Sequence, residues 1–599
     1  MKDNTNNSSS VSDDSHNAED HGSDDEEAEP LVLEVDGNST TTTTNTRGYA
    51  LKRRPLVQFL GIYVLILLPM AGIGLSTVLL VGHATTSRKK NTSTTTSSSS
   101  ATEPPATMND NNDNNNPVTL STGVAQWDAA FLVAMAEVSE NIMANGNFMA
   151  GAGWTQLWTR DTSYAVQLGL ALLYPQVSQV TLEACTQPHD DKDGHQHTLD
   201  SSIVMGTTTW LQDVCGHFNG WPYLSDAIVG AQGAWSLFLA TGNTTFLEWA
   251  YNMTRSTLTW AELEVYDNST GLFRGCSSFM ESNSAYPTEY RFSGPKVGAT
   301  KALSTNVLYY NGYTLAAQME QVLHPAKTKD NSQQLQTKAN HLRKAIRSRL
   351  WLEDQGYYAY YEEANGTLHA KMEGLGESLL LLAPNLESNQ TRIRRLFESV
   401  HRTPHGIPCL WPQFDLHREK PKDYASYYHN GRIWPFVQGY WALAAARHKQ
   451  VDVFQQELDS LVGLAMNSAP METNGDAQQQ PTFAEFYQLD GTYMWKRRRQ
   501  LWSSAGYLGM ILHGLFGMEL QVDGILFRPV VPAQATNTTS KVQVMTLENL
   551  RYRRALLTLH ITGHGNVVDT FAINGKQQDR PFLAADAVGH QKIEMVLKQ

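Results

Sequence analysis

Along the chain the spacing of apolar residues changes character four times, and each change predicts a different kind of element. Residues 1–50 are dominated by Ser, Asn, Asp, Glu and Thr. They carry too little apolar side chain to offset the entropy of ordering, which predicts a disordered tail. Leu56–Val81 then runs for 26 positions without a charged residue. As a helix it would be about 39 Å long at ~1.5 Å per residue, enough to cross a ~30 Å hydrocarbon core with tilt. A secretory signal peptide fits less well, because 55 residues precede the segment and its apolar run exceeds an h-region. Residues 82–117 return to Ser, Thr and Asn and read as a flexible stalk.

From about Val118 to Leu520 the period is helical. Trp127–Ile142 places Phe131, Met135, Val138 and Ile142 at helical spacing. Trp154–Leu173 opens on two tryptophans and Arg160-Asp161, then becomes apolar almost all round, the pattern of a helix buried on more than one side. Ala227–Ala240 ends at Thr241-Gly242-Asn243, a helix stop, and Leu303–Val322, Gly374–Leu382, Ile433–Arg447 and Leu501–Leu515 repeat the style. At one helix per ~33 residues this stretch predicts roughly twelve helices, joined by loops rich in Gly, Trp, Tyr, Pro and Asn. From about Gln521 the period becomes two. Val542-Gln543-Val544 and Leu557–Thr562 alternate, and Asn574-Gly575 offers a tight turn, so a small antiparallel β domain is expected.

Charge refines this picture in two places. The formal net charge is −13, and residues 1–36 alone hold twelve Asp or Glu against one Lys. No broad basic surface or basic–aromatic interleaving is present, which argues against a nucleic-acid partner. Basic residues flank Leu56–Val81 on both sides nearly equally, so other features orient it. The sequons at Asn243, Asn252, Asn268, Asn365, Asn389 and Asn537 follow the span, as do all four cysteines, Cys185, Cys215, Cys276 and Cys409. The expectation is a single-pass type II signal anchor, with the C-terminal bulk in the secretory lumen or outside the cell. A span of 26 residues is long for the thin ER bilayer and points weakly to Golgi, vacuole or plasma membrane.

Candidate chemistry begins at Arg160-Asp161. Asp161 or Thr162 can cap the helix that follows, and a carboxylate at a helix N-terminus tends to stay ionised. Trp154 and Trp158 flank the pair. Aromatic faces pack on sugar C–H faces and a charged fork bonds vicinal hydroxyls, so the group suits a carbohydrate; a structural ion pair is the other reading. His189–His197 is dense in His and Asp, but it has His189 where an EF-hand needs Asp and Asp200 where it needs Glu. No zinc-type Cys/His spacing accompanies it. A polar surface loop is the reading, with no metal and no cofactor expected; Cys185 and Cys215 bracket the loop and could staple it.

Four further stretches align with Trp158-Thr159-Arg160-Asp161 in chain order. They are Ser277–Ser282 (S-S-F-M-E-S), Tyr428–Pro435 (Y-H-N-G-R-I-W-P), Phe483–Tyr487 with Asp490-Gly491, and Gln500–Tyr507 (Q-L-W-S-S-A-G-Y). Together they resemble the six-hairpin glycosidases, whose members include glucoamylases, the glucosidase half of glycogen debranching enzymes, trehalases and the glucosidase I family. The resemblance covers roughly residues 120–530. It implies a mainly α fold, an (α/α)6 toroid, ahead of the small antiparallel β domain and behind the single transmembrane helix. The implied boundaries are an acidic tail 1–50, an anchor 56–81, a stalk 82–117, a barrel 118–520 and a β domain 521–599.

In that family one carboxylic acid protonates the leaving glycosidic oxygen and one carboxylate activates a water on the opposite face, inverting the anomer. By resemblance Glu281 falls where a Met-Asp general acid lies, one methylene longer, and Glu485 falls where the base lies, although Asp490-Gly491 comes later than the family pattern. The resemblance makes Arg160 and Asp161 the pair that holds the sugar, Trp158, Trp434 and Trp502 its aromatic surroundings, and Asn430 a polar contact. Asp226, Glu373, Glu377 and Asp423 are reserve carboxylates. The function this implies is a membrane-anchored inverting exo-glycosidase acting on α-linked, α-glucosidic bonds. The alternatives are a glycoside phosphorylase on a related barrel, which needs no carboxylate base, and a non-catalytic glycan-binding protein.

Overall fold

The computed structural model describes residues 116–188, 208–216, 218–325, 329–415, 428–471, 479–533 and 544–598. The expected tail, the membrane span and nearly all of the stalk lie outside these residues, as do the loop at 189–197 and Asp423. Among the described residues no helix is long and apolar enough to cross a membrane.

Among the described residues twelve helices build a closed double ring. They are α1 (Ala125–Glu140), α2 (Thr159–Ala165, continued by a π turn, Val166–Leu170, and by Ala171–Leu173), α3 (Pro175–Ala184) and α4 (Gly230–Thr241). Then come α5 (Thr244–Glu264), α6 (Leu303–Leu323), α7 (Lys329–Arg349) and α8 (Gly374–Leu382). The last are α9 (Gln390–Ser399), α10 (Pro435–Arg447), α11 (Val451–Asn467) and α12 (Leu501–Gly509, continued by a π turn, Met510–Leu515). The even-numbered helices pack each on the next and α12 packs back on α2, which closes an inner ring of six. The odd-numbered helices lie outside, α1 on α12, α3 on α4, α5 and α7 on α6, α11 on α10. Helix α9 reaches α10 through Phe397 and Trp441, 5.0 Å apart. This is the (α/α)6 toroid. It explains the apolar pattern, since an inner helix has neighbours on every side.

Small residues set how closely the inner ring packs. A Cβ at Gly439 of α10 would lie 2.8 Å from Gly506 Cα of α12, so the two backbones touch where larger residues would part them. Gly242 ends α4 in the left-handed region, φ +74°, and Asn243 then caps α5 by accepting from the Phe246 N–H.

The C-terminal region departs from the expected antiparallel domain. Its main sheet has six strands in the order Thr119–Ser121, Val544–Tyr552, Arg554–Thr562, Val588–Leu597, Val568–Ile573, Lys576–Gln577. Arg554–Thr562 and Val588–Leu597 run parallel, so the sheet is mixed, and its edge strand comes from ahead of the barrel. A three-stranded sheet adds Met518–Gln521, Gly524–Phe527 and Phe582–Ala584. Leu557, Leu559 and Ile561 alternate into the core as read, and Asn574-Gly575 makes the turn with both residues at positive φ. All four cysteines are free and buried. The staple between Cys185 and Cys215 is therefore not formed; the Cys215 thiol lies against Cys276 instead.

Candidate active site

The N-terminal turn of α2 holds the first part of the site. Its cap is not local. Trp158, at the N-cap position, makes no side-chain cap bond, and Asp213, from the loop ahead of α4, accepts from the Thr159 N–H at 3.1 Å and the Arg160 N–H at 2.9 Å. The same carboxylate takes the Arg160 guanidinium, Nε to Oδ2 3.2 Å, and Val214 O accepts from Arg160 Nη2 at 3.3 Å. The ion partner of Arg160 is thus Asp213, and Asp161 is neither its partner nor the cap. Asp161 Oδ1 accepts from Gln500 Nε2 at 2.9 Å. Burial pushes its carboxyl well above the usual range against the pull of Arg160, with Asp213 and Glu485 adding to the rise. Burial also disfavours charge on Arg160, but Asp213, Asp226, Asp161 and Glu281 around it more than offset that.

The second part is the loop that carries Glu281. Every residue leading to it is tied down. The Cys276 N–H donates to Tyr223 O at 2.8 Å, that of Ser277 to the Tyr286 hydroxyl at 2.8 Å, and that of Ser278 to Ser304 Oγ at 3.0 Å. Two reserve carboxylates serve as anchors here. Asp226 Oδ2 accepts from Ser278 Oγ at 2.7 Å, and Glu373 accepts from Ser277 Oγ and, at 2.9 Å, from the Ser304 N–H. Burial lifts Glu373 to about 7 despite those donors. Phe279 then takes φ +64°, rare for an aromatic residue, and is held there by Trp434 at 5.3 Å, Phe436 at 4.9 Å and His429 at 5.4 Å. This turn presents Met280 to the core and leaves Glu281 half-buried. The Glu281 N–H donates to His429 Nδ1 at 3.3 Å, and Ser284 Oγ lies 2.7 Å from the same nitrogen. Burial, with Arg160 nearby, holds His429 well below its usual range, so the ring is neutral and Nδ1 is free to accept.

The third part is Glu485. Its Oε1 accepts from Trp154 Nε1 at 2.7 Å and from the Tyr428 hydroxyl. Its Oε2 faces Arg497 Nε at 3.4 Å and accepts no hydrogen bond among the described residues. Burial raises the carboxyl to about 6, less than burial alone would, because Arg497, Tyr428 and Trp154 favour the anion; Glu281 adds to the rise. The Arg497 guanidinium lies 4.0 Å over the Trp154 ring, which fixes both groups around the carboxylate. Arg160, Asp161, Glu281 and Glu485 therefore share one electrostatic neighbourhood.

The aromatic residues separate into two layers. Trp154 and Trp158 meet edge to face at 6.4 Å and remain partly open. Trp434 offers no face, because His429 covers one side at 4.7 Å and Phe486 stacks at 5.6 Å. Trp502 is likewise covered, stacked on Phe436 at 4.2 Å. Both are floor beneath the site rather than walls. Asn430 spends its amide on the backbone of Phe414, donating and accepting at 2.8 Å, and so shapes the loop instead of reaching outward. Glu377, four residues after Glu373, is buried under Tyr358, whose N–H it accepts at 2.7 Å. The residues that sequence reasoning missed are Asp213, Tyr428 and Arg497. Tyr428 and Arg497 lie within or beside the quoted motifs; Asp213 carries no local signal.

Residues 156–503, more than half of the chain, match the model of a family described as the mannosylglycerate hydrolase MGH1-like glycoside hydrolase domain. No curated protein matches the sequence. Among solved structures, a chain titled sialidase is similar at 12% identity over 79% of this chain and 42% of its own length, with a TM-score of 0.54, which shows the fold. A rhamnosidase of Bacillus sp. GL1 is 11% identical over 80% of this chain and 44% of its own, TM-score 0.49. The chain thus spans less than half the length of either. A mannosylglycerate hydrolase from Thermus thermophilus, solved with Tris and D-glycerate, is 12% identical over 64% of this chain and all of its own, TM-score 0.46.

Proposed function

The chain belongs to the mannosylglycerate hydrolase MGH1-like glycoside hydrolase family, and from that premise we propose an inverting exo-glycosidase for α-linked sugars with Glu281 as general acid and Glu485 as general base. The observation that carries the reading is the asymmetric cradle of Glu485. Two donors hold Oε1, while Oε2 keeps its lone pairs beside a cation. A base needs this: an oriented carboxylate, ionised near neutral pH, with one oxygen left to take a proton from water. In this proposal Glu281 delivers a proton to the leaving oxygen, from a loop pinned by Asp226, Glu373 and His429. Arg160, oriented by Asp213, bonds sugar hydroxyls, and Trp158 and Trp154 supply the open aromatic surface.

The substrate in this proposal is an α-glucoside, as the resemblance to debranching-type glucosidases implies; the family description, which names mannosylglycerate, makes a mannoside the competitor to test against. A type II anchor at Leu56–Val81, with the barrel in the secretory lumen or outside the cell, completes the proposal. The test is hydrolysis of α-linked gluco-, manno- and rhamno-disaccharides by the full chain. Turnover of one class should fall about 10²–10⁴-fold in Glu485→Gln and in Glu281→Gln. Full turnover in either variant removes that residue from its role.

A further inference from the structure

A cavity lies away from the carboxylates, between the inner helices and the C-terminal strands. It has a volume of about 970 Å³, at the upper end of the roughly 300–1,000 Å³ of small-molecule sites. All six inner helices line it, and none of Arg160, Asp161, Glu281 or Glu485 does. On α2 it begins at Gln167, six residues past Asp161, about 9 Å further along a helix that rises ~1.5 Å per residue.

Three features set this cavity apart from a packing void. Its inner wall is neutral and rich in amides: Gln167, Gln232, Asn311 and Gln318 line it, with the Trp235 indole and leucines between them. The charged lining residues, Arg447, Lys449, Glu519 and Arg528, sit at the end of α10, just after it, or on and after the strands that follow α12. Gln232 is only 3% exposed, yet its Nε2 donates to nothing among the described residues, while Asn311 holds its Oε1 at 3.5 Å. A buried amide without an acceptor costs free energy that a ligand oxygen would recover. Both inner-ring π turns, Val166–Leu170 and Met510–Leu515, border the cavity through Leu168, Gly169 and His513. Such turns are uncommon and recur at functional sites.

A ligand for this wall must offer many hydrogen-bonding groups, no charge, and C–H faces that pack on indole and leucine. We propose that the cavity is a second carbohydrate site, taking a neutral saccharide through Gln232 and its neighbouring amides. The site is tied to the first. The Tyr440 hydroxyl donates to Gln167 Oε1 at 2.6 Å, its ring meets Tyr164 at 5.5 Å, and the Tyr164 hydroxyl lies 2.7 Å from Ser278 Oγ on the Glu281 loop.

The experiment uses the full chain carrying Glu485→Gln, so that sugar is not consumed. Calorimetric titration with α-linked glucose and mannose disaccharides should report two sites per chain. Gln232→Leu, and separately Thr314→Trp, which puts an indole on the cavity wall, should weaken one of them about tenfold or more and leave the other unchanged. In the otherwise native enzyme the same two substitutions should leave hydrolysis within about twofold. A crystal soaked with the disaccharide should hold it against Gln232. A single site indifferent to both substitutions, water alone in the cavity, or an aliphatic amphiphile binding there in place of sugar would each overturn the proposal. Loss of the Gln232-dependent site leaves the Glu281–Glu485 reading intact, and loss of hydrolysis on every sugar leaves the cavity reading intact.

Discussion

Tyr428 and Trp154 decide what Glu485 can do, because both donate to the same carboxylate oxygen and both favour its anion. With the carboxyl held at about 6, a base role gives kcat/KM an acidic limb near that value, activity falling as pH drops through it. Tyr428→Phe removes a donor that lowers this pKa, so the limb should move upward by up to about one unit. A pH–rate profile of the variant checks it, and an unmoved limb would assign the titration to another group. The sequence put Glu281, Glu485, Arg160 and Asp161 in one place, since ordered motifs convey which loops meet. It misread Trp434, Trp502 and Asn430, because a tryptophan stacked on sugar and one stacked on histidine look alike until burial is known.

At the scale of elements, the inner helices and the outer α1 were legible and the other outer helices were not. Gly374–Leu382 and Leu303–Val322 announce themselves by apolar residues at helical spacing with almost no charge, whereas α7 and α9 carry charge on an exposed face and blend with the loops in the sequence. The start of α2 shows a second limit. Asp161 has the residue type of a cap, but the cap that forms comes from Asp213, more than 50 positions away, and local propensity cannot see it. The mixed sheet escaped for the same reason, since strand periodicity carries no direction of pairing. Asp213→Asn should break the buried pair with Arg160, a loss of about 3–5 kcal/mol, read as a lower urea midpoint. It should also weaken sugar binding in the Glu485→Gln background; unchanged stability would make Arg160 the holder of Asp213 rather than the reverse.

For the molecule as a whole, the buried carboxylates set how stability depends on pH. Glu137, Glu373 and Glu457 are each raised by burial from 4.5 to about 7. The native state therefore binds more protons than the unfolded chain between these values. Their contribution is fully present below about 4.5 and is lost as pH rises through about 7. Thermal unfolding should thus have a higher midpoint at pH about 5.5 than at pH about 7.5, and Glu457→Gln should flatten the difference. An unchanged slope in that variant would place the linkage in other groups.

One measurement bears on the whole account: the anomer released in the first turnovers of an α-linked disaccharide, followed by proton NMR before mutarotation. Water activated by Glu485 opposite the proton delivered by Glu281 predicts release of the β-anomer. Release of the α-anomer would mean a covalent intermediate and would contradict the pairing of acid and base proposed for this site.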